Sequence, residues 1–146
     1  MFLSKFENII FDFDGVIKDS VSAKSEAFVS LIPNISVDVK ERIAKHHFLN
    51  PGVSRYEKIP IYLNWAGIGT IEYGLDYWLE KYGELVFDSV VDSKFVPGVL
   101  EFIDKYPRQS LSIVTSTPDS EIVKILEHIG LGEKFCFIRG APYSKI

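Results

Sequence analysis

The sequence predicts an α/β fold with a parallel, Rossmann-like sheet and an inserted, all-helical lobe. Three short, bulky apolar runs have the length of buried strands: Ile9–Phe11, Leu111–Val114 and Phe135–Ile138. From Pro97 onward, helical and strand patterns alternate, which is the order of a parallel sheet covered by helices. Residues 20–93 show helical spacing and no clear strand, so we expect them to form a separate block.

Composition narrows the class of protein. The 146 residues, of which 47% are hydrophobic, suit one modest domain or a small core with one inserted subdomain. No apolar run approaches the roughly 20 residues that span a bilayer, and residues 1–7 lack the pattern of a signal peptide. Cys136 is the only cysteine, which excludes an internal disulfide and fits a reducing, cytoplasmic compartment. The net charge of -4 argues against a nucleic-acid partner.

The first apolar run ends in two aspartates, Asp12 and Asp14, followed by Gly15. A helix is the alternative for this run, but the glycine and the crowded acids favour a strand that enters a tight turn. We expect this strand to be buried on both faces, as in a parallel sheet.

The first two helices of the block have clear limits. One begins after Ser20 and is stopped by Pro33, which cannot continue a helix. Ser36 is placed to cap the second helix. His47 falls on the apolar face of that helix, and we expect a hydrogen-bonded core histidine there.

The third and fourth helices have start signals of their own, and the third contains a proline. Ser54 and Glu57 form a capping-box pattern that starts the third helix at Arg55. Pro60 should kink or split that helix, because it lacks the backbone N–H and clashes with the preceding turn. Thr70 is placed to cap the fourth helix.

Charge is unevenly distributed over this block. Residues 40–58 hold five basic and two acidic side chains, a net charge of +3. Residues 72–92 hold one basic and six acidic side chains, a net charge of -5. Two solvated helix faces would explain both stretches, whereas the alternative is that the basic stretch attracts an anionic substrate.

After the second strand the sequence runs through Thr115, Ser116 and Thr117 to Pro118. Proline is favoured at the first position of a helix, so we expect the next helix to begin at Pro118. Gly130 should end it. The helix N-terminus at Pro118 would favour an anion nearby.

Asp12 and Asp14 are the strongest chemical signal. Two carboxylates at the carboxyl end of a buried strand repel each other and lose solvation, and a divalent cation would relieve that cost. Ligands of open α/β sheets bind at this end of the strands. The alternative is an Asp-Gly turn with solvated aspartates.

The segments that carry the polar residues resemble one family. Residues 12–20 resemble the first motif of the haloacid dehalogenase-like hydrolase superfamily, most closely its phosphoglycolate phosphatase and β-phosphoglucomutase branch. Residues 111–116 are similar to the second motif, and residues 140–145 to the segment bearing the third-motif lysine. Residues 96–99 resemble the return to the core after a helical cap.

The resemblance implies a role for each matching residue. Asp12 would attack phosphorus, forming an aspartyl-phosphate, and would bind Mg²⁺. Asp14 would act as acid and then base, and its backbone carbonyl would also bind the metal. Thr115, the backbone of Ser116 and Lys145 would hold the phosphoryl group. Taken alone, Thr115 could be a turn residue and Lys145 a surface lysine.

The resemblance also implies the domain organisation. The catalytic core would consist of residues 1–18 and 94–146, and the helical cap of residues 19–93. In the cap, Arg55 and Lys58 are three residues apart and share a helix face. They are candidate substrate contacts, and a solvated helix start is the alternative.

One departure from the family pattern affects the metal site. A fourth, acidic motif should supply a further metal ligand, and it would fall beyond Ile146. We therefore expect a core that lacks about 50 residues, from ordinary element and loop lengths. The Asp12 strand would then lie at an edge of the sheet, where it could promote self-association.

These observations predict a magnesium-dependent phosphatase that hydrolyses a small phosphorylated metabolite. The acid at Asp14, two residues after the nucleophile, points to phosphate esters, because the similar dehalogenases lack it. A phosphomutase of the same fold is one alternative. A catalytically incomplete remnant that only binds a ligand or a partner is another.

Overall fold

The computed structural model describes residues 7–69 and 72–142. The chain divides into two compact units. The helical unit is Ser20–Asp92, and the sheet unit combines Met1–Asp19 with Ser93–Ile146. Across the described ranges, no helix has the length and apolar character needed to cross a membrane.

The helical unit contains four helices: α1 (Val21–Leu31), α2 (Val37–Leu49), α3 (Arg55–Trp65) and α4 (Leu75–Asp92). Helix α1 packs against both α2 and α4. An aromatic cluster lies at the centre, where the Phe28 ring stacks on Tyr82 with centroids 4.0 Å apart and meets Tyr62 edge-on at 5.3 Å. Offset-stacked and edge-to-face pairs of this kind stabilise a core beyond the area they bury.

The limits of α1 and α2 were predicted correctly. Helix α1 ends two residues before Pro33, as expected for a residue that cannot continue a helix. The Ser36 hydroxyl accepts a hydrogen bond from the Val39 backbone N–H at 3.3 Å, which confirms the predicted N-cap of α2.

Helices α3 and α4 correct three expectations. Helix α3 begins at Arg55, but the Ser54 side chain makes no capping hydrogen bond. Pro60 does not split α3, which runs on to Trp65. Helix α4 begins only at Leu75, so a start at Thr70 was too early; Thr70 itself lies outside the described residues. Packing of the apolar side decides these limits over local propensity.

The sheet unit confirms the predicted α/β class. Its elements in chain order are β1 (Ile9–Phe11), α5 (Val99–Asp104), β2 (Leu111–Pro118), α6 (Asp119–His128) and β3 (Phe137–Ala141). The strands form one sheet in the order β1-β2-β3, and both pairings are parallel. Gly130, with a φ of 76°, follows the end of α6 as predicted.

Strand β2 is longer than its apolar run suggested. It continues through Thr115 to Pro118, so α6 begins at Asp119 rather than at Pro118. Its burial alternates along the whole length, with the two threonines Thr115 and Thr117 continuing the buried face. Strand β3 begins at Phe137, two residues later than expected.

Strand β1 is buried on one face only, which corrects the expectation of burial on both. The Phe11 ring packs edge-on against Phe102 and Phe135, with centroids 5.8 and 6.0 Å apart. Ile10 points the other way and is 67% exposed. Among the described residues, β1 is the edge of the sheet and pairs only with β2.

Candidate active site

A tight turn follows β1 and carries both aspartates. Gly15 has a φ of 74°, a conformation that glycine adopts without strain. Its N–H donates to the Lys18 carbonyl at 2.8 Å, and the Ile17 N–H donates to the Phe13 carbonyl at 2.8 Å. Phe13 and Ile17 are fully buried and anchor the turn.

The two aspartates differ in their surroundings. Asp12 is exposed, and its Oδ1 accepts a hydrogen bond from the Phe13 N–H at 2.8 Å. Asp14 is half-buried. The expectation that desolvation penalises both acids is therefore wrong for Asp12, because β1 is an edge strand. The Asp12 carboxylate is accessible to a ligand.

The ends of β1 and β2 meet at one edge of the sheet. Phe11 pairs with Ile113, so Asp12 follows β1 at the level where β2 continues toward Thr115. The Thr115 Oγ1 accepts from the Thr117 N–H at 3.2 Å. The Thr117 Oγ1 in turn donates to Asp14 Oδ2 over a long 3.5 Å.

Thr117 was not among the predicted site residues. It lies two positions after Thr115, and its side chain therefore shares that face of a strand. Recognising that β2 continues past Val114 would have identified it. Of the other predicted residues, Ser116 lies in β2 and is half-buried, whereas Lys145 lies outside the described residues.

Lys18 is a second residue that the sequence analysis missed. It ends the tight turn four residues after Asp14 and is buried, with its Nζ 4.2 Å from the centroid of the Phe95 ring. A cation over an aromatic ring is stabilised by the ring quadrupole. The loop of the aspartates therefore also contains a buried positive charge.

The N-terminus of α6 differs from the expected free anion site. Its first turn contains the acids Asp119 and Glu121. Asp119 Oδ1 accepts from the Gly140 N–H at 2.6 Å. A carboxylate of the chain thus already lies at this helix end.

Comparison with known proteins identifies the family. Residues 9–143 match the family model of the haloacid dehalogenase-like hydrolases. The chain belongs to this family. No curated protein sequence matches it.

Solved structures of haloacid dehalogenase-like proteins share the fold. A β-phosphoglucomutase from Clostridium difficile is 21% identical with a TM-score of 0.65, covering 97% of this chain and 64% of its own. A predicted phosphoglycolate phosphatase from Haemophilus somnus is 17% identical with a TM-score of 0.66, covering 97% and 65%. A haloacid dehalogenase-like family protein from Streptococcus pneumoniae is 15% identical with a TM-score of 0.60, covering 94% and 62%.

The match of residues 9–143 to the family model confirms the predicted family, and the solved structures share its fold. At such identities they establish the fold alone. The chain spans less than two thirds of the length of each of the three solved structures.

The donors available for a metal are oxygen atoms. The Asp12 carboxylate and the Asp14 backbone carbonyl are the candidate ligands, and Mg²⁺ favours oxygen ligands and usually keeps several waters. Within residues 7–69 and 72–142, no group of three or more His, Cys, Asp or Glu side chains could hold a metal ion. The exposed Asp12 therefore fits a largely hydrated Mg²⁺, with these two donors from the described residues.

In the helical unit, Arg55 and Lys58 are 5% and 1% exposed. The alternative of a solvated helix start is therefore wrong. The Lys58 Nζ donates to His47 Nδ1 at 3.0 Å, and the Arg55 guanidinium lies 4.5 Å from the centroid of the Tyr82 ring. His47 is itself buried and hydrogen-bonded, as predicted.

Proposed function

We propose that the chain contributes the nucleophile and the acid/base of a magnesium-dependent phosphatase that acts on a small phosphorylated metabolite in the cytoplasm. The observation that carries the proposal is the 3.5 Å contact between Thr117 and Asp14. It links the turn after β1, which carries Asp12 and Asp14, to the end of β2, which carries Thr115 and Thr117.

In the first step, an Asp12 carboxylate oxygen attacks phosphorus, and the bond from phosphorus to the leaving oxygen breaks. Protonated Asp14 gives its proton to that oxygen, and an aspartyl-phosphate remains. The exposure of Asp12 supports its role as nucleophile, because a phosphate ester can reach it. The Thr117 Oγ1 lies beside the acid, 3.5 Å from Asp14 Oδ2.

In the second step, Asp14 takes a proton from a water that attacks phosphorus. The phosphorus–oxygen bond to Asp12 breaks, inorganic phosphate leaves, and Asp12 is again a carboxylate. The Thr115 hydroxyl, the Ser116 backbone N–H and Lys145 would bind the phosphoryl oxygens. When bound to Asp12 and the Asp14 carbonyl, Mg²⁺ would offset the negative charge of the phosphoryl group.

The buried cations of the helical unit support an anionic substrate. Arg55 and Lys58 lie among aromatic rings, a setting in which an added negative charge is held more strongly than in water. We propose that they are the substrate-binding residues of this unit.

A phosphomutase is the second candidate. Its support is that β-phosphoglucomutases are among the solved structures that share this fold. Such an enzyme would return the phosphoryl group from Asp12 to a substrate hydroxyl instead of to water.

One assay separates the candidates. The 146-residue chain and the longest natural form of the protein that contains it are each incubated with Mg²⁺ and a panel of phosphate monoesters. Release of inorganic phosphate supports the phosphatase, and a positional isomer of the substrate supports the mutase. If neither protein forms either product, both enzymatic candidates are contradicted and a binding role is left.

The nucleophile is tested by Asp12→Asn. We expect turnover to fall at least about 1,000-fold, because an amide cannot form the aspartyl-phosphate and the nucleophilic route supplies most of the rate. Mg²⁺ affinity should also fall, since one charged ligand is lost.

The matched control is Asp104→Asn. Asp104 is an exposed acid of the same unit, paired with Lys134 at 2.7 Å. Its variant should keep normal kcat. Near-normal turnover in the Asp12 variant would refute the assignment.

A further inference from the structure

The pairing of β2 with β3 is interrupted where the site residues lie. It is regular as far as Val114 opposite Arg139, and it resumes at Pro118 opposite Ala141. Between these points β2 advances four residues and β3 only two. Thr115 thus lies in a bulged segment, and bulges next to active sites re-aim side chains.

Asp119 supplies a hydrogen-bond acceptor at this interruption. Its Oδ1 accepts from the Gly140 N–H at 2.6 Å, a short distance typical of a bond to a charged acceptor. Gly140 is the residue of β3 between the two paired positions. A side chain from the first turn of α6 therefore bridges the gap in the ladder.

The close approach of β3 to residues 117–119 also depends on the absence of a side chain at Gly140. A Cβ on Gly140 would lie 2.7 Å from the Asp119 nitrogen and 2.9 Å from the carbonyl carbon of Pro118. Both atoms belong to the backbone and cannot move without shifting the chain. Gly140 is thus required for β3 to come this near to residues 117–119.

Arg139 orients the carboxylate. Its Nη1 lies 3.5 Å from Asp119 Oδ2, and both side chains are about two fifths exposed. An ion pair with that exposure adds little stability. Its effect is to turn one carboxylate oxygen to Arg139 and leave the other for Gly140.

We propose that Asp119 is a positioning residue that, by bridging to Gly140 of β3, holds the bulged end of β2 in place to bind a phosphoryl group. The end of β2 carries Thr115 and Thr117. Asp119 itself would not touch the substrate, because its two oxygens are engaged by Gly140 and Arg139. This inference rests on the proposed function.

The test compares Asp119→Ala, Asp119→Asn and the control Asp104→Ala in the longest natural form of the protein. Misplacement of a binding group by about 1 Å costs up to about 100-fold in rate, so Asp119→Ala should lower kcat about 10- to 100-fold. KM should change less than about threefold, because the substrate's leaving portion does not contact Asp119. Asparagine keeps an acceptor for Gly140 and should restore most of kcat, and Asp104→Ala should be normal.

Gly140→Ala provides an independent route to the same displacement. It should lower kcat with little change in KM, even though Asp119 is intact. If Asp119→Ala fails to fold, this variant together with Asp119→Asn decides the matter. An unchanged kcat in Asp119→Ala or in Gly140→Ala would overturn the positioning role while the proposed function stands.

A measurement other than activity separates failure of the proposed function from failure of the positioning role of Asp119. In the amide NMR spectrum of the wild type, the Gly140 proton should be shifted downfield and exchange slowly; Asp119→Ala should move it upfield and speed its exchange at least about tenfold. If the wild type hydrolyses no phosphate ester, the proposed function fails. If the shift and exchange rate of the Gly140 amide proton are unchanged in Asp119→Ala, the hydrogen bond between Asp119 and Gly140 is refuted, whatever the activity.

Discussion

The two units differ in the burial of the residues that the proposed function uses. The helical unit buries two cations, Arg55 and Lys58, within an aromatic core. The sheet unit leaves the proposed nucleophile, Asp12, and an apolar strand residue, Ile10, exposed. A buried charge needs partners and an exposed isoleucine forfeits burial, so both arrangements cost stability. Each cost falls where the proposed function needs it, at an anion-binding group or at an accessible nucleophile.

The charged stretches of the helical unit show what decides burial. In α3, Arg55 and Lys58 precede buried Ile59 and Tyr62 at the spacing i, i+3, i+4 and i+7, which is one face of a helix. In α4, every fourth residue from Trp78 to Val90 is buried. Each of these buried residues comes two positions after an exposed acid. Two residues turn a helix by about 200°, so the acids face away from the core.

The position of a charged residue relative to the apolar face of its helix therefore decides whether it is buried, and the net charge of the stretch does not. The acidic stretch is the solvated face that charge alone suggests. In the basic stretch, Arg55 and Lys58 share the core side of α3, whereas Lys40, Arg42 and Lys45 are exposed. A contribution of Lys58 to substrate binding is the strongest functional consequence of this difference.

Among the changes that test this comparison of the two units, the largest effect is expected for Lys58→Met. Methionine keeps the length of the side chain and removes the charge and the hydrogen bond to His47. A hydrogen bond from a charged group contributes about 1.5–3 kcal/mol, so KM should rise about 10- to 100-fold. Steady-state kinetics on the phosphate ester turned over best would measure it.

Lys45→Met is the matched control, because Lys45 is an exposed lysine of the same unit. Its KM should stay within about twofold of the wild type, as expected for a surface substitution. Equal KM values in the two variants would show that burial of Lys58 has a structural role only.

Local patterns predicted much of this fold because they act over a few residues. Ser36 caps a helix with its own hydroxyl, and Gly130 ends one through its positive φ. The start of α4 and the continuation of α3 through Pro60 depend instead on tertiary packing. Spacing along the sequence does not reveal such contacts.

The site was predictable to the same extent. Asp12 and Asp14 stand out because two acids follow an apolar strand. Thr117 and Asp119 act through partners 103 and 21 residues away in the chain, Asp14 and Gly140. Only the folded sheet shows those pairs, and the bulge in β2 beside them leaves no signal in a single sequence.

An intermediate effect is expected at the edge strand. We propose that the chain self-associates through β1, because an exposed, apolar edge strand recruits other chains. Ile10→Lys should lower the fraction of associated protein, since a lysine on an edge strand opposes pairing. Light scattering at matched concentrations would measure the change.

Val37→Lys is the control for hydrophobicity alone. Val37 is 68% exposed, almost the same as Ile10, but it begins a helix of the other unit. Its variant should associate like the wild type. A monomeric wild type, or equal loss of association in both variants, would contradict a role for the edge.

The smallest effect is expected for Tyr62→Phe, within the core that buries the cations. The Tyr62 hydroxyl is hydrogen-bonded to His46 Nδ1 at 3.0 Å. Burial raises the pKa of the Tyr62 phenol above its usual range. Removing the hydroxyl should cost about 1 kcal/mol of unfolding free energy at pH 7, the usual net value of one hydrogen bond.

The pH dependence gives this prediction its sign. Above about pH 10 an unfolded tyrosine ionises, whereas folded Tyr62 keeps its proton. Its contribution to stability is therefore fully present below that pH and is lost as the pH rises, by up to about 1.4 kcal/mol per pH unit. Tyr62→Phe should remove this one-proton slope in urea unfolding measured from pH 7 to 11. If the variant and the wild type lose stability in parallel above pH 10, Tyr62 ionises freely and its hydroxyl is not held in the core as described.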